Sequence, residues 1–149
     1  MSFFHNPSLA RATHALLRIL TGLLYMQHGA QKLLGVLGGV DGHGATVHLA
    51  SLAGIAGVLE LFGGFLIVIG LFTRVVAFIL AGEMAYAYWM VHVASAHAKA
   101  QAGPSPLFPI INHGEFAALL CFVFLFLAFN GAGSASVDGV RATRGARTA

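Results

Sequence analysis

Residues 49–72 read LASLAGIAGVLELFGGFLIVIGLF, and this stretch decides the fold class. Ser51 and Glu60 are its only strongly polar side chains. A membrane helix needs about 20 mostly apolar residues to cross roughly 30 Å of hydrocarbon. The stretch therefore predicts a transmembrane helix, with Glu60 close to its middle.

Three further segments follow the same pattern, and the predicted spans are 9–34, 49–72, 74–98 and 111–131. The segments between them are rich in turn residues. They comprise a glycine-rich loop at 35–44, a tight turn at 70–74 and a proline-rich segment at 103–109 that is not helical. In the tight turn, Gly70 ends one helix and Thr73 caps the next. We expect an all-α integral membrane protein, with a four-helix transmembrane bundle in residues 1–134 and a flexible basic tail at 135–149.

The composition of the 149-residue chain supports a membrane protein. Hydrophobic residues make up 58% and charged residues only 9%, far less charge than a soluble domain carries. The net charge is +3, but the cations are dispersed, so we expect the lipid bilayer rather than nucleic acid as partner. The N-terminal segment has no small-residue cleavage site, which predicts that the first span is retained. Cys121 is the only cysteine and, within an apolar run, is expected to be inert.

Arginines and lysines near the helix ends predict the orientation. With four spans, both termini and the turn at 70–74 lie on one side of the membrane. That side carries Arg11, Arg74, Arg141, Arg144 and Arg147, and the other carries Lys32 and Lys99. Because cytoplasmic segments hold an excess of cations, we expect both termini to be cytoplasmic.

Charged residues at membrane depth are the strongest functional signal. Each costs at least about 2.5–3.5 kcal/mol at the centre of a bilayer, so it faces the bundle interior, pairs or lines water. Helical geometry places Arg18, Tyr25 and Lys32 on one face of the first span. One interpretation is that Arg18 and Lys32 form structural ion pairs with glutamates. The other is a polar pocket between helices that binds a lipophilic molecule or relays protons. Its candidate residues are Arg18, His28, Lys32, Glu60, Glu83, His92 and Glu115.

The histidines do not indicate a metal centre. His28 and His92 were considered as axial haem ligands, but no paired spacing recurs among the eight histidines, so we expect neither haem nor zinc. The segment at 112–115 is typical of a helix start. Asn112 would cap this helix, and Glu115 would complete a capping box.

Five motifs, in order along nearly the whole chain, resemble the DoxX family. They are Arg18-x3-Gly22-x5-His28-Gly29-x2-Lys32, Glu60-x2-Gly63-Gly64-x5-Gly70-x2-Thr73-Arg74, Glu83-Met84, Pro109-x2-Asn112-x-Gly114-Glu115 and Gly131-x-Gly133-x2-Ser136-x-Asp138. In the last motif, Ala132 stands where the family has proline. The resemblance implies a four-helix bacterial inner-membrane protein.

The resemblance also implies a redox role, because family members are described as quinone-linked oxidoreductase subunits, including the membrane part of a thiosulfate:quinone oxidoreductase. We expect a quinone as cofactor, with a partner redox subunit or a second copy of the chain alongside. Arg18, His28 and Lys32 would contact the head group, and Glu60 and Glu83 would neutralise these cations or exchange protons. The alternatives are a non-catalytic scaffold or assembly subunit and, less favoured because no helix core is broken by proline, a transporter.

Overall fold

The computed structural model describes residues 6–99 and 105–148, and within these ranges every regular element is helical and no strand occurs. A short 3₁₀ turn, Val36–Gly38, follows the first helix. The other elements are α1 Pro7–Leu34, α2 Leu52–Ile69, α3 Thr73–Ala98, α4 Pro109–Asn112, α5 Glu115–Asn130 and α6 Val137–Thr148.

The four long helices α1, α2, α3 and α5 occupy the four segments that the hydropathy pattern selects. Among the described helices, α2 and α3 are long and apolar enough to cross a membrane. The 16 residues of α5 are strongly apolar but make a shorter helix, and α1 carries more polar residues. The described part of the chain excludes residues 1–5, 100–104 and 149. It also excludes the side chains of Lys99 and Arg147, two of the cations that predict the orientation.

Local capping signals set the bounds of the first two helices. The Asn6 side chain accepts two backbone N–H groups of the first turn of α1, and Pro7 follows at a position where no N–H is needed. Gly35 ends α1 with a φ of 68°. Ser51 caps α2 in the same way as Asn6, and Gly70, with a φ of 68°, ends it.

Small residues bring α1 and α2 into close contact. A Cβ added at Gly22 of α1 would lie 2.7 Å from the carbonyl oxygen of Gly64. One added at Gly29 would meet the backbone of Leu61. The backbones of α1 and α2 therefore approach closely at these glycines, where no side chain intervenes.

Arg18 of α1 lies fully buried, at 1% exposure, and donates to four backbone carbonyls. Its Nη1 bonds the oxygens of Ile67 at 2.6 Å and Val68 at 2.5 Å, its Nε bonds Ala132 at 3.1 Å, and its Nη2 bonds Ala135 at 2.7 Å. The last carbonyls of a helix have no partner within that helix, and the guanidinium offers five N–H donors in a rigid fork. Arg18 thus joins the end of α2 to the segment after α5.

The interpretation that Arg18 forms a structural ion pair with Glu60, Glu83 or Glu115 is therefore wrong. The backbone carbonyls at the end of α2 and after α5 already accept its N–H groups. A guanidinium satisfied by carbonyls needs no carboxylate.

The chain after α5, which its composition predicted to be a flexible tail, folds back onto the turn between α2 and α3. The Asp138 carboxylate accepts the backbone N–H groups of Phe72 at 3.0 Å and Thr73 at 2.9 Å. The Asp138 N–H in turn donates to the Gly70 carbonyl at 2.9 Å. Asp138 therefore caps α3 from a distant part of the chain. The prediction that Thr73 caps this helix is wrong, because Thr73 is already its first helical residue.

Replacing Arg18 by Met should lower the free energy of unfolding by at least about 3 kcal/mol, because several buried carbonyls would lose their donor at about 1–3 kcal/mol each. The loss is measured by thermal or denaturant unfolding of the purified protein. The matched control is Arg11→Gln, since Arg11 is exposed and bonds only the Ser8 hydroxyl within the described contacts. Equal stability of the two variants would contradict the role given to Arg18.

The Asp138 cap should make stability depend on pH. Partial burial raises the pKa of Asp138, but the N–H groups of Thr73 and Phe72 and the charge of Arg141 outweigh burial and hold the pKa below its ordinary value of 3.8. Because the folded pKa is the lower one, the stabilisation is present above the unfolded value and disappears as the pH falls through the folded value.

The expected measurement is the difference in Tm between wild type and Asp138→Asn. It should be largest at neutral pH and shrink as the pH falls below the ordinary value of 3.8 and through the lower folded pKa. A difference that does not change between neutral and acidic pH would contradict a cap made by the ionised carboxylate.

Candidate functional site

A cavity of about 930 Å³ lies between α1, α2, α3 and the start of α5. Its walls are mostly apolar and include Leu59, Ile79, Met84, Val91 and Phe116. The structure brings five of the seven predicted site residues to this one cavity, namely His28, Lys32, Glu60, Glu83 and His92.

Glu60 and Lys32 form an ion pair at the polar end of the cavity. The Lys32 Nζ lies 2.5 Å from Glu60 Oε1, so Glu60 of α2 faces α1. Glu60 is 4% exposed, and its second oxygen, Oε2, has no hydrogen-bond partner among the described residues. It sits in a π-helical stretch of α2, Leu59–Gly63, a geometry that often marks functional positions.

Glu83 of α3 lies beside this pair and has a different partner. The Tyr25 hydroxyl donates to Glu83 Oε2 at 2.8 Å, while Oε1 is without a partner in the described part of the chain. Tyr25 is 1% exposed, and its ring packs edge-on against Phe124 with 4.9 Å between centroids. The cavity thus contains two carboxylates, each with one oxygen paired and one unpaired.

Tyr25 is a site residue that the sequence interpretation missed. The signal was present, because Tyr25 follows Arg18 and precedes Lys32 by seven residues each and so shares their face of α1. Tyr25 was placed on this polar face but not among the candidate site residues, although a tyrosine hydroxyl, once buried, requires a partner.

His92 reaches the same cavity as Glu83 because α3 is not a regular α-helix. Nine residues at about 100° each would place the two side chains half a turn apart. The wider π-helical stretch Ala87–Val93 turns less per residue and removes much of this separation. His92 Nδ1 lies 3.2 Å from the Asn112 carbonyl oxygen, which orients the ring.

His28 adds an aromatic surface to the cavity. Its ring centroid lies 5.0 Å from that of Phe116, at an interplanar angle of 44°. Tyr86 and Met84 also line the cavity. A planar ligand would therefore find aromatic and thioether contacts beside the carboxylates.

Two predicted site residues lie elsewhere. Arg18 is engaged by the carbonyls described above, and the exposed Glu115 does not line the cavity. The predicted capping box is wrong, because His113 adopts a φ of 56° and Gly114 becomes the N-cap of α5 without a side-chain cap bond.

Asn112 instead bonds locally. Its Oδ1 accepts the Gly114 N–H at 2.7 Å and its Nδ2 donates to the Pro106 carbonyl at 2.8 Å. Pro109, expected in a non-helical segment, is the first residue of the short α4, where its missing N–H is not needed.

Comparison with known proteins identifies the family. The DoxX family model matches residues 13–93, more than half of the chain. An uncharacterized protein of Haemophilus influenzae is 42% identical over 125 residues, which cover 83% of this chain and 87% of that protein. A Bacillus subtilis protein named "Putative oxidoreductase CatD" is 28% identical over 123 residues, 83% of this chain and 82% of that protein. No solved structure matches the chain significantly. The chain belongs to the DoxX family of membrane proteins.

Proposed function

We propose that α1, α2, α3 and α5 all span the bacterial inner membrane as a four-helix bundle. The support is the distribution of polarity around α1, which buries Arg18 and Tyr25 but exposes a face of leucines. The exposed leucines are Leu16, Leu17, Leu20, Leu23 and Leu24. α5 likewise exposes Leu119, Phe122, Phe126 and Phe129. An apolar exterior with the charged side chain buried inside is the arrangement that lipid favours.

We further propose that both termini are cytoplasmic, because the end of the bundle that holds the termini and the 70–74 turn carries the arginine excess. The test is a pair of C-terminal fusions, to green fluorescent protein and to alkaline phosphatase. Fluorescence without phosphatase activity is expected. Phosphatase activity would place the C-terminus outside, and matching fusions in the glycine-rich loop at 35–44 should give the opposite result.

Our functional proposal is that the protein is a redox-linked membrane subunit that binds a quinone, or a similar lipophilic electron carrier, in the cavity between the helices. The observation that carries it is the cavity itself. About 930 Å³ lies within the range of pockets that hold small organic ligands, and apolar walls lead to the two half-paired carboxylates of Glu60 and Glu83. The oxidoreductase name of the Bacillus subtilis relative supports a redox role.

In this proposal the ligand supplies the electron-carrying chemistry and the chain positions it and moves protons. Lys32, the cation of the cavity, attracts an oxygen of the head group and keeps Glu60 in place. The free oxygens of Glu60 and Glu83 accept protons, and Tyr25 holds Glu83 toward the ligand. Electrons would pass to or from a partner redox subunit.

A non-catalytic scaffold is the second candidate, and the Arg18 network favours it. A buried cation that joins two helices to the C-terminal segment stabilises the bundle without any ligand. The scaffold predicts that the cavity binds neither form of a quinone.

The binding test uses decylubiquinone and decylubiquinol with the purified protein in lipid nanodiscs. Wild type should bind at least one of the two forms. Ala56→Trp should weaken binding of that form at least about tenfold, because Ala56 lines the cavity and indole would fill it. The matched control Ala12→Trp, at an exposed position of α1 away from the cavity, should bind as wild type does. Absence of binding, or unchanged binding in Ala56→Trp, would reject the proposed site.

A further inference from the structure

Two carboxylate oxygens at the polar end of the cavity lack a hydrogen-bond donor. Glu60 Oε2 and Glu83 Oε1 both lack a partner among the described residues. An ionised carboxylate oxygen can only accept a hydrogen bond. Since Glu60 is 4% exposed, its free oxygen is removed from bulk water, and leaving such an acceptor unpaired is unfavourable.

Two side chains at this end donate hydrogen bonds, and each already donates one to a glutamate. Tyr25 has a single O–H, and this donates to Glu83. Lys32 uses one of its three N–H groups on Glu60. A ligand therefore meets two free carboxylate oxygens and the remaining N–H groups of one lysine.

His92 adds another acceptor. A backbone carbonyl only accepts, so the nitrogen facing the Asn112 oxygen, Nδ1, carries the proton. In the neutral ring Nε2 is then the unprotonated nitrogen and accepts. The contact with Asn112 thereby fixes which ring nitrogen can act on a ligand.

We propose that the cavity binds the reduced, hydroxyl-bearing form of its ligand, a quinol, in preference to the oxidised quinone. This inference rests on the proposed function and specifies its substrate class. Quinone oxygens only accept, so a bound quinone leaves Glu60 Oε2 and Glu83 Oε1 unpaired. An O–H group of a quinol can donate to such an oxygen.

The test compares three ligands that share one tail: decylubiquinol, decylubiquinone and the dimethyl ether of the quinol. The ether retains the reduced ring but has no O–H to donate. Dissociation constants are measured anaerobically on the wild-type protein in nanodiscs by titration calorimetry. Because hydrogen bonds to charged groups are the stronger ones, the quinol should bind at least about tenfold more tightly than both other ligands.

A double variant, Glu60→Gln with Glu83→Gln, tests which residues set the preference. Each carboxamide replaces one acceptor with an N–H₂ donor at nearly the same size, so quinone should gain affinity relative to quinol. The ratio of the two dissociation constants should fall below about threefold. The matched control is Glu115→Gln, which makes the same change outside the cavity and should keep the wild-type ratio. Circular dichroism checks that each variant is folded.

The outcomes separate the two proposals. If quinone binds as tightly as quinol, or the ether as tightly as quinol, the acceptor argument is overturned while quinone-type binding at the site stands. If none of the three ligands binds wild type, the proposed function fails and the preference fails with it. The wild-type comparison requires no variant, so misfolding of the double variant would not rescue the proposal.

Discussion

The rest of the structure depends on one interaction, the burial of Arg18 among backbone carbonyls. A guanidinium removed from water at 1% exposure is stable only if its donors are satisfied, and four carbonyl oxygens satisfy them. Two belong to the end of α2 and two to the segment after α5. Moving either segment away would leave both a buried charge and orphaned carbonyls. Arg18 therefore fixes α1, α2 and the C-terminal segment relative to one another, and Asp138 then reaches the start of α3.

Because backbone carbonyls satisfy Arg18, it does not neutralise either carboxylate of the cavity. Fourteen residues separate Arg18 from Lys32, about 21 Å along a helix axis. Lys32 is left to pair with Glu60, and Glu83 must rely on the Tyr25 hydroxyl. Had Arg18 paired with either glutamate, the interior would hold balanced ion pairs. The structural cation and the carboxylates are instead separated along the bundle, and the cavity retains free acceptors.

Hydropathy and turn residues were sufficient to predict the long helices, since length, apolar runs and glycine signals are local properties. The polar residues within the apolar segments were also identifiable, because charged side chains stand out in an apolar run. Their partners were not. Backbone carbonyls occur at every residue and give no sequence signal, so Arg18 was assigned to carboxylates. A cap that comes from Asp138, far along the chain, is equally hidden. The capping box predicted at Asn112 does not form, because the left-handed conformation of His113 ends α4 before α5 begins. The capping-box pattern in the sequence does not reveal this break.

The two π-helical stretches explain why the cavity was the hardest feature to predict. Each lies in a helix that supplies polar residues, with Glu60 in one stretch and His92 in the other. A π turn has less favourable packing than an α turn and persists where the surrounding structure requires it. A π turn also changes the direction of every side chain that follows it in the helix. A regular helical wheel therefore places Glu83 and His92 on opposite faces of α3, whereas in the folded chain both line one cavity. The π-helical stretches of α2 and α3 thus allow Glu60, Glu83 and His92 to line one cavity, which a regular α-helical period does not predict.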